Sequence, residues 1–141
     1  MKKSTFGIII CFVSLFINFT SCKNDEKNPS PETVGKVKSE LAHFSNLLPI
    51  EGGVGMIITD VSYDDASNTI RYKYQYTIPG VTKPADSQIK EAKKAAINLM
   101  ESVPKEKGLL MEGISFHYDY YSSDNAYLYS MEISRHDLEN K

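Results

Sequence analysis

Between Thr69 and Ile78 the chain reads TIRYKYQYTI, and two classes of residue alternate through it. Ile70, Tyr72, Tyr74, Tyr76 and Ile78 fall on one side, with Arg71, Lys73, Gln75 and Thr77 on the other. A period of two places successive side chains on opposite faces of a strand, so this segment predicts a strand with one buried and one wet face. The preceding MIITDVSY is joined to it by DDASN, whose residues favour turns, and residues 56–78 are expected to form a hairpin. The theme returns near the C-terminus. GISFHYDYY sets Ile114, Phe116, Tyr118 and Tyr120 against Ser115, His117, Asp119 and Tyr121. After the turn-forming SSDN, AYLYSMEIS is expected to bring Tyr127, Tyr129, Met131 and Ile133 back onto the apolar face.

Helical spacing precedes each hairpin. Ser30 suits an N-cap, Pro31 the first helical position and Glu32 the positive helix end. Val34, Val37, Leu41, Phe44 and Leu48 then recur every three or four residues, with Pro49 as the stop and EGGVG as a flexible turn. A second helix is expected over 87–103, with Ile89, Ala92, Ala96, Leu99 and Val103 on one side and Pro104 and Gly108 closing it. The order αββαββ predicts an α+β two-layer sandwich, a four-stranded antiparallel sheet with two helices on one face. Its other face would be polar and open. The layout looks like that of several small bacterial envelope and inhibitor-like domains, a likeness that identifies no activity.

The first residues follow a different logic. Lys2 and Lys3 precede a mostly apolar run from Phe6 to Phe19, and the small residues Thr20 and Ser21 lead into Cys22. A basic start, a short apolar stretch and a small-residue exit describe a secretory signal peptide over 1–21. The run is short of the roughly 20 apolar residues that span a bilayer, and it contains Asn18. Phe19-Thr20-Ser21-Cys22 resembles the lipobox of bacterial lipoproteins, with Phe where that family usually has Leu. The resemblance implies a diacylglycerol on the Cys22 thiol, cleavage before it and an acylated amine, with fatty chains such as palmitate as the membrane anchor. Two or more chains, at about 0.8 kcal/mol per buried CH₂, hold a protein at a membrane where one is marginal.

Cysteine usage agrees with that reading. Cys11 lies in the leader, so Cys22 would be the sole mature cysteine and no internal disulfide would form. Residues 22–30 then act as lipidated cysteine and polar tether, and 31–141 as one α+β domain. Extended residues reach at most about 3.3–3.6 Å each, which keeps the domain near the membrane. Lys23-Asn24-Asp25-Glu26 resembles the charged export signal of surface lipoproteins in Bacteroidota, and serves equally as a solvated linker. Lys23 also lacks the Asp that resembles an inner-membrane retention signal in enteric bacteria, so an outer-membrane location is expected, on either the periplasmic or the cell-surface side.

Charge narrows the function classes. Loss of Lys2 and Lys3 leaves 14 basic against 18 acidic residues, a net charge of −4, without the basic excess nucleic-acid binding requires. His43, His117 and His136 sit on separate elements, so no metal or cofactor site is expected. No G-x-S-x-G elbow is present, GGVG leads into a strand rather than a helix, and lipidation would consume the thiol. Asp64 and Asp65 fall at a solvated hairpin tip, and Lys90, Lys93 and Lys94 on an outer helix face. Tyr72, Tyr74, Tyr76, Tyr118, Tyr120, Tyr127 and Tyr129, at strand spacing, are expected in the core in preference to forming a ligand platform, whereas Tyr63 and Tyr121 are expected to be exposed.

The best binding candidate is the open sheet face: Arg71, Lys73, Gln75, His117, Asp119 and Tyr121, which converge if the second and third strands are neighbours. The preferred reading is a membrane-anchored, non-enzymatic binding or assembly module of the cell envelope, holding a protein or polymer partner on that face. The alternative is a small envelope hydrolase or ligand-carrying protein whose pocket lies between helices and sheet, using groups such as Asp60, Glu112 or Glu132.

Overall fold

The computed structural model describes residues 28–140. The leader, Cys22 and most of the tether lie outside the described residues. Among those described, no helix is long and apolar enough to cross a membrane.

The elements run α1 (Pro31–Ser45), β1 (Ile50–Gly53), β2 (Met56–Asp64), β3 (Thr69–Tyr76), α2 (Asp86–Ser102), α3 (Pro104–Met111), β4 (Ser115–Tyr121), β5 (Tyr127–Ile133) and α4 (Arg135–Glu139). Among the described residues the architecture is mixed α+β: one open five-stranded sheet in the order β1-β2-β3-β4-β5, and four helices.

The first helix starts as its sequence dictates. Ser30 has extended backbone, its hydroxyl oxygen accepts from the Thr33 amide at 3.1 Å, and Pro31 opens the helix. Thr33, Val37, Leu41 and Phe44 are buried, while Val34 and Leu48 are half-buried. Alternation holds along β3 and β4. Ile70, Tyr72, Tyr74 and Tyr76 on β3, and Phe116, Tyr118 and Tyr120 on β4, are buried with Met56, Ile58, Val61, Tyr129, Met131 and Ile133. Their rings stack across strands: Tyr72 on Tyr118 at 5.5 Å, Tyr74 on Tyr120 at 5.3 Å and Tyr120 on Tyr129 at 4.4 Å between centroids. The Tyr76 and Tyr129 hydroxyls meet at 3.2 Å, and burial pushes the Tyr118, Tyr120 and Tyr129 phenols far above their usual range.

Three expectations about the sheet need correction. It has five strands, because Ile50–Gly53 pairs antiparallel with β2 instead of forming a free turn. That strand is short and glycine-rich because it crosses bulky neighbours. A Cβ on Gly52 would lie 2.8 Å from the Tyr74 ring and 2.9 Å from Ile58, both buried side chains. Gly52→Ala is therefore expected to lower stability by about 1–3 kcal/mol through overpacking. Urea denaturation checks this, and an unchanged midpoint would show that β1 can lift away freely. Secondly, the sheet is not wholly antiparallel: β3 and β4 pair in parallel, from Thr69↔Ser115 to Gln75↔Tyr121. The α2–α3 crossover returns the chain to the end where β3 began, and parallel neighbours require such a connection. Thirdly, a register shift at Tyr120/Tyr121 interrupts alternation across the second hairpin. Tyr127 is consequently 58% exposed rather than in the core.

The helices also depart from expectation. Pro104 stops α2, but Val103 has extended backbone and α3 starts at once with Pro104 in its first turn. The buried side of α2 is Ala96, Ile97 and Met100; Leu99 is exposed, and Ile89, Ala92 and Val103 are half-buried. Ile78 lies beyond β3 and is exposed. Tyr63 is half-buried rather than exposed, with the Lys38 ammonium 5.5 Å from its ring and its hydroxyl 3.0 Å from Asn68 Oδ1.

Candidate functional site

The parallel pairing sets the six expected residues in three cross-strand rows: Arg71 beside His117, Lys73 beside Asp119, and Gln75 beside Tyr121. All six are half-buried. They converge on one face, but much of their bonding capacity is spent among themselves and near neighbours. His117 Nε2 lies 3.0 Å from Asp119 Oδ1 and its Nδ1 lies 3.1 Å from Glu132 Oε2. Only the protonated ring donates from both nitrogens. The Ser130 hydroxyl donates to Asp119, and the Tyr127 and Ser130 hydroxyls meet at 2.8 Å. The Lys73 ammonium stands 4.2 Å from the centre of the Tyr121 ring, Arg71 pairs with Asp64 at 3.4 Å, and Gln75 donates to the Ser123 carbonyl. Such a face presents a preformed polar and aromatic surface.

The carboxyls considered for a helix–sheet pocket do not meet. Asp60 is exposed at the irregularity in β2, Glu132 belongs to the open face, and Glu112 accepts from the Thr33 hydroxyl at 2.6 Å. Between the layers, Val37, Leu41, Phe44, Met100, Leu109 and Leu110 pack into one cluster with the tyrosines.

A concave region lies elsewhere, around the free side of β5. A groove of about 570 Å³ runs between the first half of α2 and this strand. Ile89, Lys90 and Lys93 come from α2, and Tyr127, Leu128 and Glu132 from β5. Lys83 borders it and also borders a neighbouring cavity of about 260 Å³, lined by Tyr76, Val81, Pro84 and Gln88. Sequence reasoning missed this site because it placed Tyr127 in the core and the α2 lysines in bulk solvent. The strand order and the shift at Tyr120/Tyr121, neither readable locally, create it.

The two ends of the molecule differ. Thr33, in the first turn of α1, bonds Glu112, which lies just before β4, and Lys38 pairs with Asp65 in the β2–β3 turn at 2.5 Å. The chain thus enters the domain where β3 and β4 begin. The opposite end carries exposed Val54, Ile78 and Tyr127 together with the smaller cavity.

No protein-family model matches this chain, and no curated protein matches it in sequence. Two solved structures resemble it in fold. The pilotin EpsS of the Vibrio vulnificus type 2 secretion system aligns with a TM-score of 0.62 and 15% identity, covering 84% of this chain and 100% of that one. The type II secretion system pilotin AspS from Vibrio cholerae aligns at 0.51 and 14% identity, covering 70% and 85% respectively. At these identities the likeness is one of fold.

Proposed function

We propose that this protein is a lipid-anchored, non-enzymatic assembly module of the outer membrane, held through acylated Cys22, that docks a protein partner on the open face of its sheet and the β5 edge continuous with it. The observation that carries the reading is the fold, shared with two secretion-system pilotins and spanning the whole of one of them. The shape of the surface agrees with it. The polar face of Arg71, Lys73, Gln75, His117, Asp119 and Tyr121 continues into Tyr127, Ser130 and Glu132 on β5, and from there into the groove. Because the chain enters at the other end of the strands, a tether leaves the exposed Tyr127 end free to meet a partner while the anchor stays in the bilayer.

Metabolic labelling with an alkyne fatty acid, followed by membrane fractionation, tests the anchor. The wild type should be labelled and sediment with the outer membrane, while Cys22→Ala should be unlabelled and leave that fraction. Labelling that persists in the variant, or a wild type in the soluble fraction, would refute the anchor. In the same cells, joint alanine substitution of Arg71, Lys73, His117 and Tyr121 should remove crosslinks to neighbouring envelope proteins without loss of membrane attachment. Unchanged crosslinks would remove the open face from the docking surface.

A further inference from the structure

We infer that the groove beside β5 receives an extended, acidic segment of a partner protein, which adds to the sheet as a sixth strand. The inference rests on the docking role proposed above and specifies its chemistry.

The sheet has two edges, and they are unequal. β1 spans only Ile50–Gly53, half of it glycine, and its pairing with β2 is irregular. β5 spans Tyr127–Ile133, bonded on one side to β4 and, among the described residues, with no strand on the other. An edge strand presents alternate N–H and C=O groups outward, and an incoming extended chain satisfies them directly. A helix, whose backbone is already paired internally, leaves them unmet. Proteins commonly block such edges with a proline, an inward charge or a covering element. Here α2 packs against part of the strand, yet its first half leaves a groove along it, and β5 contains no proline.

The walls specify the occupant further. Leu128 and Ile89 are half-buried and offer apolar contact. Tyr127, 58% exposed at the mouth, offers a ring against which a side chain can pack. The lining carries Lys83, Lys90 and Lys93 against Asp86 and Glu132, an excess of positive charge on a protein that is acidic overall. Lys83 is tied to Asp86 and Lys93 to Asp137, whereas among the described residues Lys90 has no carboxylate at ion-pair distance. A strand with apolar residues at alternate positions and Asp or Glu between them would seat the first against Leu128 and Ile89 and the second toward Lys90. Beyond Tyr127 the same chain would reach the smaller cavity past Lys83.

The probe is a displayed library of random peptides, panned on the purified domain and followed by amide hydrogen exchange on the selected complexes. Selected peptides should alternate apolar and acidic residues and slow exchange in 127–133. N-methylation of every second peptide amide should abolish binding, because it removes the donors that pair with the edge. Lys83→Glu with Lys90→Glu should weaken binding about tenfold at low salt and leave the melting temperature unchanged. Peptides that bind as amphipathic helices, tolerate N-methylation, or protect the Arg71–His117 rows instead of β5 would each overturn the inference. So would a concentration-dependent dimer in sedimentation that protects 127–133 without peptide, since a second copy would then own the edge. None of these results bears on Cys22 labelling, so the inference and the anchoring can fail separately.

Discussion

Tyr120→Ala is expected to lower the stability of the domain by about 3–5 kcal/mol, the largest effect of any single substitution considered. The ring is 1% exposed and stands between two others, 5.3 Å from Tyr74 and 4.4 Å from Tyr129, with Tyr76 at 6.5 Å. Its loss removes buried apolar area and stacking together, and leaves a cavity walled by rings from the strands on either side, β3 and β5. Native domains hold only about 5–15 kcal/mol in reserve, so the variant should be close to unfolding at growth temperature. Tyr120→Phe keeps the ring and should lose far less. Urea denaturation of both variants checks this, and a loss below about 1 kcal/mol for Tyr120→Ala would show that the tyrosine layer repacks freely.

Glu106→Gln should have the opposite sign. Glu106 is 4% exposed on α3, and its Oε2 is buried with no hydrogen-bond partner among the described residues. Burial raises its carboxyl above the ordinary range, with a hydrogen bond from its own backbone amide and the Lys105 charge opposing the rise. Glu40 on α1 is raised by burial as well, with Lys105 opposing, while burial lowers Lys105, which sits 3.9 Å from Glu40. The sheet beneath contributes the Tyr72 and Tyr118 phenols, and Glu106 helps to raise both. A raised acid binds protons more tightly in the folded state than in the unfolded one. Its destabilising effect is therefore absent below the unfolded value near 4.5 and grows as pH rises through the folded value. Removing the charge while keeping the shape should stabilise by about 1–2 kcal/mol at pH 8, and the gain should vanish near pH 4. Paired denaturation curves at those pH values measure it. A variant less stable at pH 8 would mean that the carboxylate is held by a favourable interaction.

Legibility followed how local each determinant is. The cap at Ser30, the stripe Val37–Leu41–Phe44 and the burial of Tyr72, Tyr74, Tyr118 and Tyr120 were readable because each depends on residues a few positions apart. The six open-face residues were readable for the same reason, and their convergence awaited only the β3–β4 pairing. Tyr127 was misread because the register shift falls between it and Tyr129, so counting by twos back from the buried Tyr129, Met131 and Ile133 no longer reaches its face. Leu99 was misread because the stripe on α2 that packs inward is the neighbouring one, through Ile97 and Met100.

The sequence by itself thus determined the faces of the strands, Tyr127 apart, and the start of the first helix, since side-chain periodicity and capping are properties of consecutive residues. Only the tertiary structure decided the fifth strand, the parallel join, the free β5 edge and the groove beside it. Strand order and register arise from pairings between distant segments, which no local pattern of apolar and polar residues encodes.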